Sequence, residues 1–457
     1  MKEENNKSIN IEMIKGDPKK AILKLSFPMM ISMFLLMLYN LADSIWVSGL
    51  GPKALAAIGF ISPLFMIIVG LGNGFGAGTN SLIARFIGAD NDKEANNAAL
   101  HGILLSLFFS IISSIFLVIF MKPILIMIGA KEALDYALDY SYVIFSFLTL
   151  IIYLSVASAI FRSEGDMKRS TIAIAITSIL NIILDPIFIY EFNMGISGAA
   201  WSTVISVFIS CCIMSYWIWG KRNLYLDLSY KNFNFDPKII IDILNVSLPS
   251  TLEIIIFSGL IFFINSFLVV LGGHAAVAVY TAAMRIIQLS NIPLTAIGIS
   301  VLTISGVAYG ASNPEKLKTT LSYGLKLSYI FTIITVIIIF LFSSNIASIF
   351  TYSSASASLA PKISASLKIL CLFVVTIPLG YISCMVFQGV GKGINSLFIN
   401  LLRAFILETL FAYIFGFILK WRIPGIYAGI VIGCLLGGVI GLIWSTIYVH
   451  KFEKEHT

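Results

Sequence analysis

Charge is scarce in this chain. Aspartate, glutamate, lysine and arginine together supply 12% of its 457 residues, about half the share of a soluble protein, while hydrophobic residues reach 58%. With a mean hydropathy of +0.95, a soluble globular fold is excluded. Histidine is also rare: His101, His274, His450 and His456 lie toward loops and chain ends. A nucleophile–base pair or metal constellation at depth is therefore not available, and the chain is not expected to be an enzyme. The glycine loop of a built-in ATP motor is missing as well. Cys211, Cys212, Cys371, Cys384 and Cys434 all fall within apolar runs without metal-ligand spacing, so they read as small hydrophobes and no cofactor is implied. The start, MKEENNKSINIEMIKGDPKK, is polar and lysine-rich and does not resemble a cleavable signal peptide.

What the chain has in abundance is long apolar runs. They fall near residues 21–44, 54–79, 97–120, 136–161, 170–190 and 197–219, then 239–270, 275–309, 320–343, 362–388, 395–419 and 424–450. Each can cross a hydrocarbon core of about 30 Å. The spacing predicts an all-α polytopic membrane protein with twelve transmembrane helices. Asp17-Pro18 reads as the N-cap and first position of helix 1. The formal net charge of +7 follows topology rather than nucleic-acid binding. About 21 of the 30 Lys and Arg fall on the side of the N-terminus and only about six on the other. Both termini are therefore expected to be cytoplasmic in a cell-membrane protein, with no nucleic acid among its partners.

The polar stretch GKRNLYLDLSYKNFNFDPK separates the runs into two groups of six, giving an expected lobe 1–219, a cytoplasmic linker 220–238 and a lobe 239–457. The groups resemble one another. GLGPKALAA from Gly49 recurs as VLGGHAAVA from Val270, IGADNDKEA from Ile87 as YGASNPEKL from Tyr309, and FRSEGDMKRS from Phe161 as FQGVGKGINS from Phe387. An even number of helices per repeat makes the two lobes parallel, with a central cavity expected between them and a fold suited to alternating access. Prolines interrupt several runs at Pro28, Pro63, Pro186, Pro249, Pro293 and Pro378, each predicting a kink or a looser segment.

Two carboxylates stand out. Asp43 lies near the end of the first run and Asp185 inside the fifth, although a carboxylate at membrane depth costs a few kcal/mol. Asp43 follows Tyr39 by four residues and Asn40 by three, so the three are expected on one helix face; Asp185 follows Asn181 by four. Tyr140, Ser158 and Thr203 can add hydroxyls. These oxygens suit dehydrated Na+, with Asp43, Asn181, Asp185 and Thr203 as ligands, or carboxylates that burial primes for proton relay. Helices 1, 2, 5 and 6 carry no basic residue in their interior, which argues against a simple buried salt bridge. In the second group Glu253, Arg285, Arg403 and Glu408 mix both signs, so structural pairing is the default there, with Glu253 and Glu408 as a possible second site. Arg403 and Glu408, five apart, are expected to diverge around an α-helix.

The segments KLSFP, LYNLAD, IGADNDKEAN, FRSEGDMKRS and NIILDP together resemble the multidrug and toxic compound extrusion (MATE) family, nearest its archaeal and DNA-damage-inducible branch. The resemblance covers the whole chain and is strongest over residues 16–205. It implies a secondary antiporter that exports large amphipathic, often cationic, compounds in exchange for H+ or Na+, here expected as a monomer in the lipid bilayer. It further implies that Asp43 and Asp185 form the coupling site, supported by Tyr140, Asn181 and Thr203, and that Pro28 is the helix-1 proline whose bending accompanies protonation. Ser158 stands where that branch places an asparagine, so its reach is shorter. Other branches carry a cation-binding helix-7 glutamate about two turns after the helix proline, whereas Glu253 follows Pro249 by one. The competing expectation is a lipid-linked precursor flippase or polysaccharide exporter of the same superfamily, for which only Arg285 and Arg403 offer cavity-lining positive charge.

Overall fold

The computed structural model describes residues 2–220, 225–229, 233–351 and 359–456, and every regular element among them is a helix. In chain order these are α1 (Lys2–Lys15), α2 (Pro18–Ser48), α3 (Pro52–Gly88), α4 (Asp92–Met127), α5 (Leu134–Ser146), α6 (Leu148–Ser163), α7 (Met167–Pro186) and α8 (Ile196–Ser215). There follow α9 (Pro237–Ser290), α10 (Ile292–Gly310), α11 (Pro314–Leu341), α12 (Ser343–Phe350), α13 (Ala360–Gly389), α14 (Gly393–Asn400), α15 (Glu408–Tyr413) and α16 (Arg422–His456). Short π-helices extend several of them, at Ile187–Glu191, Tyr216–Gly220, Leu401–Leu407 and Ile414–Ile418. Among the described residues, eleven helical stretches are each long and apolar enough to cross a bilayer, and the pair formed by α5 and α6 supplies a twelfth.

Two helices depart from the expected rods. The run expected at 136–161 is broken at Phe147, where α5 and α6 meet at 47° without a proline or glycine. Carbonyls freed at the break are taken by Ser114 of α4, whose Oγ donates to the Phe145 oxygen at 2.7 Å and lies 3.4 Å from that of Ser146. A freed backbone oxygen at membrane depth needs such a donor. The 54 residues of α9 would span about 80 Å as one rod, far more than a bilayer. Gly273, at φ +66°, interrupts them, so that residues 274–290 form the eighth crossing together with α10.

The internal repeat is written into the backbone. Left-handed residues pair across the halves: Gly51 with Gly273 and Asp90 with Ser312 at a spacing of 222, Gly165 with Gly391 at 226, Asn193 with Lys420 and Gly195 with Arg422 at 227. Helix caps repeat too. Asn91 Oδ1 accepts the Glu94 N–H at 3.2 Å, and Asn313 Oδ1 the Lys316 N–H at 2.9 Å. The step from 226 to 227 is taken up by the π-helix Leu401–Leu407, because an i→i+5 turn accommodates one extra residue.

The chain forms two compact units, and they do not divide at the polar stretch 220–238, of which residues 221–224 and 230–232 lie outside the described residues. The first unit comprises residues up to Asp17 together with Phe27–Thr251; the second comprises Pro18–Ser26 and Leu252 onward. Of the three boundaries, the two that fall inside a helix lie within three residues of its proline, Pro28 in α2 and Pro249 in α9. In the first unit the start of α9 packs on a glycine face of α3. A Cβ on Gly74 or Gly78 would lie 2.6 or 2.5 Å from the carbonyl oxygens of Ser247 and Ile243. The second unit uses the same device in α16. Gly429, Gly433 and Gly437 bring its backbone against Ala412, Glu408 and Arg403.

Candidate functional site

The first unit gathers oxygen-rich side chains from four helices. α7 carries Asn181 and, one turn on, Asp185, both buried and the latter fully enclosed. Immediately after Asp185, Pro186 ends the α-helix and the chain widens into a π-turn, in which the Phe192 N–H bonds the Ile187 oxygen at 2.9 Å. α8 crosses α7 with Ser202 and Thr203, also buried. The Ser202 hydroxyl donates to Asp185 Oδ1 in a short contact. In the orientation that satisfies its neighbours, Asn181 Nδ2 donates to Asp185 Oδ2 at 3.1 Å, and Asn181 Oδ1 accepts from Thr203 Oγ1 at 3.0 Å.

From α2, Tyr39 faces Thr203, Asp43 and Asp185, and from α5 the buried Tyr140 faces Asp43, Tyr39 and Asp185. Asp43 Oδ1 is enclosed and accepts no hydrogen bond. Among the described residues no ion pair reaches either aspartate, and no three His, Cys, Asp or Glu side chains converge. Beyond the site, Tyr190 of the π-turn donates its hydroxyl to the Trp46 oxygen at 2.6 Å, tying the last turns of α2 to the segment that follows Asp185. Two carboxylates without a basic partner, one of them with an unsatisfied oxygen, can hold a proton or a small hard cation between them. They offer no nucleophile–base geometry for covalent chemistry.

Most of the expected residues meet here: Asp43, Asp185, Asn181, Tyr140 and Thr203. Two do not. Asn40 is exposed and donates to the Leu36 oxygen of its own helix at 2.7 Å, because three residues turn it well off the Asp43–Tyr39 line. Ser158 is buried on α6, but its Oγ has no partner and it is not among the groups bonded to Asp185. Conversely, Ser202 was not foreseen. A serine in a membrane helix is common, and nothing in its spacing sets it apart from Ser206 or Ser210.

The second unit shows how its mixed charges are arranged. Arg403 and Glu408 do pair, at 3.9 Å, contrary to the divergence expected of residues five apart. The π-helix is the cause: the Glu408 N–H bonds the Arg403 oxygen, stacking i over i+5. Arg403 also donates to Asn400 Oδ1 at 2.9 Å and Cys434 Sγ at 3.3 Å. Glu253 accepts from Ser396 Oγ at 2.6 Å and Gln388 Nε2 at 3.3 Å, with Arg403 nearby. Arg285 is exposed. Pro28 lies inside α2, and its carbonyl oxygen accepts from Thr171 Oγ1 at 3.0 Å.

Comparison with known proteins agrees with this architecture. The family model MatE matches residues 28–187 and again 249–414, so each copy begins at one of the two boundary prolines. A solved structure of a MOP superfamily transporter from Pyrococcus furiosus, described as having a binding pocket of reversed polarity that suggests a different function, is 38% identical with a TM-score of 0.93. The match covers 97% of this chain and 98% of that one. A "FAD transporter" from Shewanella oneidensis is 27% identical over 85% of this chain and 86% of its own length. A "Probable multidrug resistance protein NorM" from Thermotoga maritima is 29% identical over 73% of this chain and 72% of its own. With a doubled family model spanning most of its length and a shared fold, the chain belongs to the MatE family of multi-pass membrane transporters.

Proposed function

We propose that the protein is a secondary antiporter that exports amphipathic, often cationic, compounds in exchange for H+ or Na+, with the exchanged ion held at Asp43 and Asp185. The observation that carries this reading is the composition of the first-unit cluster. A fully buried carboxylate, Asp185, has amide and hydroxyl partners, its neighbour Asp43 has an enclosed oxygen that accepts no hydrogen bond, and among the described residues no basic group pairs with either. Such a pair is costly to keep ionised away from water unless a cation joins it. A structural role alone would be served at lower cost by a neutral amide. The basic excess on the N-terminal side further supports cytoplasmic termini.

The relatives differ in cargo, since one is named for FAD, a dianionic dinucleotide, and another for multidrug resistance. The test is efflux from proteoliposomes with the pH and Na+ gradients imposed separately, using a fluorescent cation and, in parallel, FAD. The proposal expects cation efflux driven by one of the two gradients. Efflux of FAD alone would replace the cargo class, and efflux indifferent to both gradients would overturn antiport.

A further inference from the structure

We propose that Asn97 and His101 of α4, together with Glu164 at the turn after α6, are positioning residues for transport. They clamp the chain between α8 and α9 onto the first unit and so hold residues 237–251, the first turns of α9, in place there throughout the transport cycle. The inference rests on membership of a transporter family and not on the ion site. Neither the sequence pattern nor the family resemblance gave these residues a role.

Asn97 and His101 lie one turn apart on α4, both buried. Asn97 pairs with the backbone of Asn234 as a neighbouring strand would. Its Nδ2 donates to the Asn234 oxygen at 2.8 Å, and its Oδ1 accepts the Asn234 N–H at 3.1 Å. His101 Nδ1 donates to the Asn97 oxygen at 2.9 Å, which leaves Nε2 as the acceptor that the Asp236 N–H reaches at 3.2 Å. The Phe233 ring lies 4.8 Å from the imidazole and Phe235 6.1 Å, centroid to centroid. Asp236 in turn caps α9: its Oδ1 accepts the Lys238 N–H at 2.8 Å, with Pro237 at the first helical position. At the other end of the segment Glu164 takes two successive N–H groups, those of Tyr225 at 3.0 Å and Leu226 at 2.8 Å. The Tyr225 hydroxyl donates to Asp92 at 2.7 Å, and Leu226 and Leu228 are buried. Most of these bonds end on backbone groups of the segment, so the clamp grips it largely without regard to its side chains.

The clamp ends where α9 begins, and the first turns of α9 are seated on the same unit. Gly74 and Gly78 of α3 admit its backbone, and Thr251 Oγ1 lies 3.4 Å from the Gly70 oxygen. From Leu252 onward the helix belongs to the second unit, and Pro249 stands just before that point. Proline has no N–H to bond the preceding turn, so the helix bends most easily there. With the N-cap fixed to α4 and the first turns to α3, any change in the direction of α9 falls at or beyond Pro249 and not in the segment that precedes the helix. The repeat supplies an independent argument. At the spacings of 222 and 226, Asn97, His101 and Glu164 correspond to Thr319, Tyr323 and Val390. The same helices pack in the second half with threonine, tyrosine and valine at these places. The amide, imidazole and carboxylate of the first half therefore serve the segment and not the packing of the fold.

The experiment sets hydrogen exchange of the full-length protein in nanodiscs beside transport in proteoliposomes, for Asn97→Ala, Glu164→Ala and, as an exposed control on α4, Lys93→Ala. Asn97→Ala and Glu164→Ala should quicken exchange over residues 237–251 by about tenfold, the effect of losing one or two hydrogen bonds, and leave α11 unchanged. They should lower kcat by about fivefold with KM within about twofold, for whichever of the fluorescent cation and FAD the wild type exports. Lys93→Ala should match the wild type. A covalent tether supplies the rescue: Asn97→Cys/Asn234→Cys, with the exposed Cys212 replaced by Ala, joined by a short bis-maleimide. The joined protein should transport like the wild type, and the unjoined protein like Asn97→Ala. Unchanged exchange over 237–251, a normal kcat despite faster exchange, or a joined protein that stalls overturns the proposal, the last because the segment would then have to leave its seat in each cycle. If Asn97→Ala quickens exchange in α11 as well, the fold itself has loosened, and Asn97→Asp, which keeps the acceptor for the Asn234 N–H, takes its place with the same expectations. If the wild type exports neither probe, the function proposed above fails, while the exchange comparison still decides whether the clamp holds α9.

Discussion

Arg403→Met should destabilise the protein far more than the loss of one side chain's packing. Arg403 is 8% and Glu408 1% exposed, their charges are 3.9 Å apart, and neither Glu408 oxygen accepts a hydrogen bond. The guanidinium is therefore the main compensation for the carboxylate. Removing one member of a buried pair costs about 3–5 kcal/mol, whereas replacing both with neutral groups of similar volume is close to neutral. The double variant Arg403→Met/Glu408→Gln still loses the bonds to Asn400 and Cys434, so a residual cost of about 1–3 kcal/mol is expected. Thermal unfolding of the purified protein, read as a double-mutant cycle, should show the Glu408→Gln change rescuing most of the Arg403→Met loss. Additive effects, or a single-variant cost of about 1 kcal/mol or less, would refute the view that the charges of the second unit neutralise one another through the π-turn.

Glu164, outside the membrane spans, accepts the N–H groups of Tyr225 and Leu226 at 3.0 and 2.8 Å, and burial pushes its pKa up to about 8 despite those bonds. The folded state thus holds a proton that the unfolded carboxyl has already lost, so the net contribution of burying Glu164 falls as pH rises from about 4.5 to about 8, its two N–H bonds only partly offsetting the loss. Hydrogen exchange at Tyr225 and Leu226 should quicken over that window beyond the intrinsic rate, and Glu164→Gln should abolish the pH dependence. Pro28 lies roughly 22 Å along α2 from Asp43, so any bend there reflects a shift of the whole segment. Pro28→Ala should slow turnover more than it weakens substrate binding, and unchanged turnover would make this proline static. Gly433→Ala should cost about 1–3 kcal/mol in thermal stability, because the new Cβ would meet the Glu408 backbone at 2.5 Å; an unaltered melting curve would contradict so close a helix approach.

The number of spans and the doubled architecture could be read before any coordinates. Hydropathy, the loop echoes and two carboxylates in apolar runs each constrain the answer strongly. What escaped reading depended on departures from α-geometry. The divergence expected for Arg403 and Glu408 assumed an α-helix, and the π-turn leaves no compositional mark in LLRAFIL. The break at Phe147 was hidden for a related reason, since its stabilising group, Ser114, belongs to another helix. The start of α9 joins the first unit because glycines of α3 admit it, a relation between segments about 170 residues apart. Ser202 illustrates the general limit. Its contact with Asp185 depends on which serine of α8 meets α7, and that is a matter of helix rotation rather than of residue type.

The central claim is that the carboxylates of the first unit hold the exchanged ion. Its most direct test is ion release on substrate binding, measured in weakly buffered detergent solution with a pH indicator and a Na+-sensitive electrode. Wild-type protein should release H+ or Na+ when a transported cation is added, and Asp185→Asn, correctly folded and still binding that cation, should release none. Undiminished release from Asp185→Asn and from Asp43→Asn would contradict the claim and move the coupling site elsewhere in the chain.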